Sequence, residues 1–330
     1  MKTILVTGAT GFLGKYLVKR FEKEGFCVKA IGRNEKAGKE ISSNNIEFIK
    51  VDLTDESKLV EVCKGVDFVV HAGALSTVWG EYRKFYEANV IGTKNIINAC
   101  MQNGVERLVF VSSPSIYTEG KDKFKIKENE VPKNNKLNNY IATKLLAEEE
   151  VKKANEEGLY TVVIRPRGIF GVGDTSIIPR LINVNGKTGI PLMSDGEQLV
   201  DITYVENVVE AIFLSVIKEN ISGEIFNITN DESIKFKEIL DMLFAELNIK
   251  PKYKNVNFRV AYSIATILEK VYRVLNIEKE PILTRYTVCT IGNSQTLDIE
   301  KAKKLLGYKP IYTIKEGLKI YSKWWRENND

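Results

Sequence analysis

Tyr140 and Lys144 stand four residues apart in "NNYIATKLLAEEE", a spacing that puts both side chains on one face of a helix. An ammonium beside a phenol favours the phenolate, so the pair is expected to lower the phenol's pKa from about 10 toward neutral pH. A phenol tuned in that way passes a proton to or from a carbonyl oxygen. The spacing alone is common on solvated helices. It gains weight from "VFVSSPSIY", an apolar run that ends in Ser112 and Ser113, where a hydroxyl can hold a reacting oxygen or cap the loop that follows. His71 is the only histidine in the chain, so a Ser-His-Asp device or a polyhistidine metal site would have to be built around it. Acid–base chemistry is therefore expected from Tyr, Lys, Asp or Glu, with no metal.

A second constellation lies near the amino terminus in "LVTGATGFLGKYLV", where Gly8, Gly11 and Gly14 follow an apolar strand pattern and open a helical one. Gly8 suits a tight turn, Gly11 lets the main chain meet a pyrophosphate, and Gly14 lets helix and strand pack closely. The free N–H groups of the helix start favour an anion. These features point to a dinucleotide. The second strand ends in "AIGRNEK", so Gly32 and Arg33 stand where an acidic residue would grip a ribose 2′-hydroxyl, and Lys36 is close. NADP(H) is favoured over NAD(H) on that ground; the other reading of Arg33 is a solvated loop residue.

The elements that position these groups follow from the apolar pattern. Short runs rich in Val, Ile and Phe at 3–8, 27–32, 46–52, 67–73, 107–113 and 160–166 alternate with helical stretches. Strands apolar on both sides are covered on both faces, so the expected class is α/β, a doubly wound parallel Rossmann sheet with a smaller mixed C-terminal substrate domain. Helices are expected over 81–103, 138–157, 206–218 and 235–247. The rhythm breaks after about residue 178. Residues 1–178 are assigned to dinucleotide binding, with a return to that domain within 199–230, and 179–330 mainly to substrate binding. "GEIFNITN" reads as an isolated strand.

The 330 residues are 44% hydrophobic and 28% charged, which suits a folded chain with a sizeable core. Net charge is +5, yet its 48 basic and 43 acidic residues are interspersed, with no basic stripe of the kind that follows a nucleic-acid backbone. Cys27, Cys63, Cys100 and Cys289 form no CxxC pair and read as buried thiols in a reducing compartment. No secretory signal is evident, so a cytoplasmic location is expected.

Taken together, "TGATGFLG", "VDLTD", "VVHAGA", "EANVIGT", "VSSPSIY", "YIATK", "RPRGIFGVGD" and "VDITYVENVVEAI" occur in the order of the extended short-chain dehydrogenase/reductase superfamily, which the chain resembles over essentially its full length. The resemblance implies Ser113, Tyr140 and Lys144 as the catalytic triad, with Ser113 preferred over Ser112. Tyr140 would be the acid/base, Lys144 would hold the nicotinamide ribose, and Ser113 would orient the substrate oxygen. It also implies a cofactor loop that includes Thr10, Phe12 and Leu13, with Asp52 and Leu53 flanking the adenine. Ala72, Gly73 and Ala74 would line the cofactor wall, and Pro166 and Ile169 would meet the nicotinamide end. Asn89 matches the family's helix asparagine, and His71 becomes a wall or packing residue. A homodimer through the helices near 81–103 and 138–157 is implied in the same way.

Within the superfamily, Gly168 and Val200 occupy the positions where sugar-nucleotide epimerases and dehydratases typically carry Asn and Arg. The carboxyl third is instead similar to the 3β-hydroxysteroid dehydrogenase/isomerase branch and to 2-alkyl-3-oxoalkanoate reductases. That similarity implies a small, hydrophobic 3-oxo or 3-hydroxy substrate. Residues 256–275 are apolar nearly all round and read equally as the roof of an apolar pocket or as an ordinary buried helix, with membrane-surface contact as the lesser reading. A sugar-nucleotide epimerase or dehydratase using NAD is the alternative enzyme, and a non-catalytic, dinucleotide-binding redox sensor the alternative from another class.

Overall fold

Seven short apolar segments form one parallel sheet in the computed structural model, which describes residues 1–133, 135 and 137–329. They are β1 (Thr3–Thr7), β2 (Cys27–Gly32), β3 (Ile46–Lys50), β4 (Phe68–His71), β5 (Arg107–Val111), β6 (Thr161–Pro166) and β7 (Ile225–Ile228). Their order across the sheet is β7-β6-β5-β4-β1-β2-β3, with every neighbouring pair parallel. The strand order reverses between β1 and β4, which opens a crevice at the carboxyl ends of the strands.

Alternate residues of β1 enter different cores, as a strand's two-residue period requires. Ile4 and Val6 pack with Leu17, Val18 and Phe21 of α1 (Phe12–Lys23), whereas Leu5 packs with Ile96 and Cys100 of α2 (Gly92–Asn103) and Val151 of α3 (Asn139–Glu156). The first layer is completed by α4 (Val205–Ile217), whose Val208 and Ile212 are fully buried. Both faces are therefore dry, and each aliphatic side chain so enclosed contributes roughly 1.5–3 kcal/mol.

Two expectations change. "GEIFNITN" is not isolated: its Ile225–Ile228 pairs with Val163–Pro166 as the seventh strand. The helix expected over 81–103 is a short helix at Tyr82–Phe85, a π-helical turn at Tyr86–Ile91, and then α2. The wider turn carries Asn89 into the interior, where it is 2% exposed.

A smaller mixed sheet joins Ile234–Lys235, Leu199–Val200, Gln295–Leu297 and Lys123–Ile126, with the first pair antiparallel and the others parallel. All four cysteines are free, and no helix among the described residues is long and apolar enough to cross a membrane.

Candidate active site

The glycine turn after β1 is shaped by contacts that leave no room for side chains. Gly8 has φ +66°, and a Cβ there would lie 2.8 Å from the Cα of Gly73; a Cβ on Gly14 would lie 2.1 Å from the Gly8 carbonyl oxygen. Gly14 thus lets the helix start close on the turn itself, not on the strand as expected. The turn is held by the Gly11 N–H donating to the Gly8 carbonyl at 2.9 Å and the Ala9 N–H donating to Ile31 at 3.1 Å. Helix α1 begins at Gly11 with no side-chain cap and no acidic residue in its first turn, so its leading N–H groups are available to an anion. Thr10, Phe12 and Leu13 are half-buried around this turn.

The other predicted cofactor residues follow the carboxyl ends of successive strands. Arg33 and Lys36 are exposed beyond β2. Asp52, beyond β3, accepts from the Thr54 N–H at 3.0 Å and its hydroxyl at 2.7 Å; the N–H bond is the main cause of its lowered pKa, and Arg33 adds to it. Leu53 reaches toward Gly73 and Gly92. Ala72 and Gly73 are half-buried and Ala74 is exposed beyond β4, while Pro166 is buried at the end of β6 and Ile169 is half-buried just beyond it.

His71 ties this wall together. The Thr93 hydroxyl donates to the Asn89 carbonyl at 2.6 Å and so accepts from His71 Nε2 at 3.1 Å. Thr7 then donates to Nδ1 at 2.7 Å while accepting from the Gly73 N–H at 2.9 Å. The network assigns a neutral Nε2–H tautomer. Burial, followed by the charge of Lys144, pushes the imidazole down to about 3. Asn89 continues the connection: its Oδ1 accepts from the Leu75 N–H at 2.7 Å, and its Nδ2 donates to the Thr143 hydroxyl at 3.1 Å.

Tyr140 and Lys144 share the amino-terminal end of α3, which Asn138 caps by accepting from the Ile141 N–H at 2.8 Å. Lys144 is 2% exposed, donates to the Val111 carbonyl at 2.9 Å, and lies 4.0 Å from the centre of the Phe110 ring. Burial pushes its pKa down to about 7, against the opposing charge of Glu148. The half-buried Tyr140 is raised to about 12, chiefly by burial, while a hydrogen bond from Ser113 acts the other way. This corrects the expectation of a phenol made acidic by Lys144: burial sets the direction of both shifts, and Lys144 is not among the causes acting on the phenol.

Ser113 also shares a 2.9 Å hydrogen bond with the Ser115 hydroxyl and caps the turn at Pro114–Tyr117, as the capping reading of that serine expects. The Ser112 hydroxyl is buried with no partner among the described residues.

A cavity of about 250 Å³ reaches Asn138 and Asn139 at the start of α3 and is lined in part by Trp79, Tyr82, Leu137, Tyr272, Ile277 and Tyr286. These residues escaped sequence reasoning, because they converge from three loops and three helix ends with no spacing signal. Helix α5 (Phe258–Val274) closes one side with Glu269, Tyr272 and Arg273. Its faces differ from expectation: Ala261, Ala265 and Glu269 are buried, whereas Val260, Ile264, Ile267, Val271 and Val274 are exposed. Small residues let the helix sit close to its neighbours, and the larger aliphatics are left facing out.

The turn fits a pyrophosphate, and Lys144, which makes one hydrogen bond among the described residues, keeps further N–H donors for a ribose diol. Fold and site define a nicotinamide-dinucleotide-dependent oxidoreductase of the extended short-chain type. The sequence profile of the 3-beta hydroxysteroid dehydrogenase/isomerase family matches residues 5–259, and the chain belongs to that family.

Among its relatives, a 2-alkyl-3-oxoalkanoate reductase of Stenotrophomonas maltophilia is 34% identical over 96% of this chain and 97% of its own. A mouse (Mus musculus) decarboxylating sterol-4-alpha-carboxylate 3-dehydrogenase is 34% identical over 96% and 89%. Among solved structures, gox2253 superposes with a TM-score of 0.82 at 26% identity, covering 100% of this chain and 99% of that one. MoeE5 in complex with UDP-glucuronic acid and NAD gives 0.79 at 25% identity, with 99% of each covered.

Proposed function

We propose that the protein interconverts the ketone and the secondary alcohol of a hydrophobic 3-oxo or 3-hydroxy compound, steroid-like or a 2-alkyl-3-oxo acid, with NADP(H) preferred over NAD(H). The observation that carries this reading is the meeting of Tyr140, Ser113 and buried Lys144 beside the Tyr286 side of the cavity. A bound nicotinamide supplies or takes the hydride. Tyr140, with its phenol raised to about 12, holds its proton at neutral pH and gives it to the carbonyl oxygen during reduction. Ser113 orients that oxygen, and Lys144 would hold the nicotinamide ribose.

The names of the relatives support a 3-oxo or 3-hydroxy substrate. Arg33 and Lys36, exposed at the end of β2 with no carboxylate in the place of Arg33, support a 2′-phosphate. A sugar nucleotide is disfavoured by Val200, which is 6% exposed and paired within the smaller sheet where an arginine would be needed.

The test is a carbonyl panel followed by NADPH and NADH oxidation: 3-oxo acids, a 3-oxosteroid and a 4-keto sugar nucleotide. Turnover of the first or second with NADPH supports the proposal. Turnover of the third alone overturns it.

A further inference from the structure

Arg165 and Arg167 lie two residues apart where β6 ends, but their guanidinium groups meet different surroundings. Arg165 is held by Glu148, with Nε donating to Oε1 at 2.9 Å, by the Tyr117 hydroxyl, and by the Glu128 carbonyl at 2.8 Å. Arg167 is 6% exposed, and its main-chain N–H extends the ladder to Ile228 at 3.0 Å. Its side chain makes no hydrogen bond and no ion pair among the described residues.

The carboxylate facing Arg167 is Asp201, whose oxygens are already engaged, one by the Ser233 hydroxyl and one by the Leu297 N–H, each at 2.7 Å. Arg167 also interacts electrostatically with Tyr286, which lines the cavity and acts in the same way on Tyr140. A second unfilled donor, the buried Nδ2 of Asn138, lies on the cavity wall two residues before Tyr140.

An enclosed cation without a partner destabilises a fold, and a guanidinium does not escape the cost by losing its proton. Such a group fits a site completed by an anionic ligand, and its planar fork matches a carboxylate.

We propose that Arg167 determines substrate specificity by receiving the carboxylate of a 3-oxo or 3-hydroxy acid whose C3 oxygen lies against Tyr140 and Ser113. This rests on the reaction proposed above and narrows its substrate to an acid. A neutral ketone of the same chain length lacks the group that completes the site.

The experiment compares racemic 3-hydroxydecanoate with its methyl ester as substrates of the full chain with NADP⁺, in the wild type, Arg167→Met and Arg167→Lys. The wild type is expected to favour the acid. Arg167→Met raises the KM for the acid by about 100-fold, leaves the KM for NADP⁺ and turnover of the ester near wild type, and does not lower Tm. Arg167→Lys recovers part of the loss.

An unchanged KM for the acid overturns the proposal, and so does a rise confined to NADP⁺, which would assign Arg167 to the cofactor. A lowered Tm with equal loss of acid and ester also overturns it, since the role would then be structural. If the wild type oxidises neither compound, the carbonyl panel above decides on the proposed reaction, and calorimetric titration of 3-hydroxydecanoate into the NADP⁺-loaded proteins decides on Arg167 separately. Binding by the wild type that is lost in Arg167→Met supports the anion site; equal binding, or none to the wild type, removes it.

Discussion

Lys144 donates to the main-chain carbonyl of Val111 at 2.9 Å, and the ring of Phe110 lies 4.0 Å away, so the ammonium is fixed to the end of β5. The same enclosure that fixes it makes its charge costly. The active-site cation therefore has a titration of its own in the working pH range.

The first prediction concerns that titration. In the cofactor-free protein the folded pKa of Lys144 is about 7 against an ordinary 10.5, so the unfolded chain binds more protons between those values. Its destabilising contribution is complete below pH 7 and fades as pH rises toward 10.5. Unfolding free energy should rise by up to about 1.4 kcal/mol per pH unit from this group. Urea unfolding at pH 7, 8 and 9 should show a shallower slope in Lys144→Met than in wild type; identical slopes would refute the assignment.

His71 sets the opposite end of the range. The imidazole is held near 3 against an ordinary 6.5, so its contribution to stability is present above pH 6.5 and is lost as pH falls through 3. His71→Asn should be less stable than wild type at pH 7, and the gap should narrow toward pH 4. Thermal melts across that window would expose a constant gap, and with it an error in the neutral, fully bonded imidazole.

Tyr140→Phe removes the proton donor and little else, because the hydroxyl's assigned partner is Ser113. Turnover should fall by about 10³-fold. Affinity for the dinucleotide, measured by quenching of tryptophan fluorescence, should stay within a few-fold. Parallel loss of both would indicate a structural tyrosine, and unchanged cellular activity would favour a redox-sensing binding protein.

Arg33→Ala tests the 2′-phosphate. The side chain is exposed and its charge reaches Asp52, so removing it should disturb the fold little. NADPH should bind about 10- to 100-fold more weakly while NADH is nearly unaffected. An unaltered ratio of the two affinities would retire the preference.

Much of this fold is readable because its sheet is covered on both sides. The runs around Val69, Val109 and Ile164 are apolar at consecutive positions, and candidate site residues fall where those runs end. Ile225–Ile228 hides its membership of the sheet because it returns to β6 after a long excursion through the smaller sheet. The outward face of α5 is equally hidden, since apolar side chains on every side of a helix do not tell which side meets a neighbour. Nor could the spacing of Tyr140 and Lys144 reveal that enclosure dominates the titration of both. The isolation of Arg167 is a property of the space around it, and no motif encodes an empty partner position.

One consequence of the relay from Gly73 to Asn89 is practical. With a single imidazole in the chain, selectively ¹⁵N-labelled histidine gives one protonated and one bare ring-nitrogen resonance, and neither requires assignment. That pair sits between the dinucleotide wall and the π-turn, so occupancy of the cofactor cleft becomes visible in a one-dimensional spectrum.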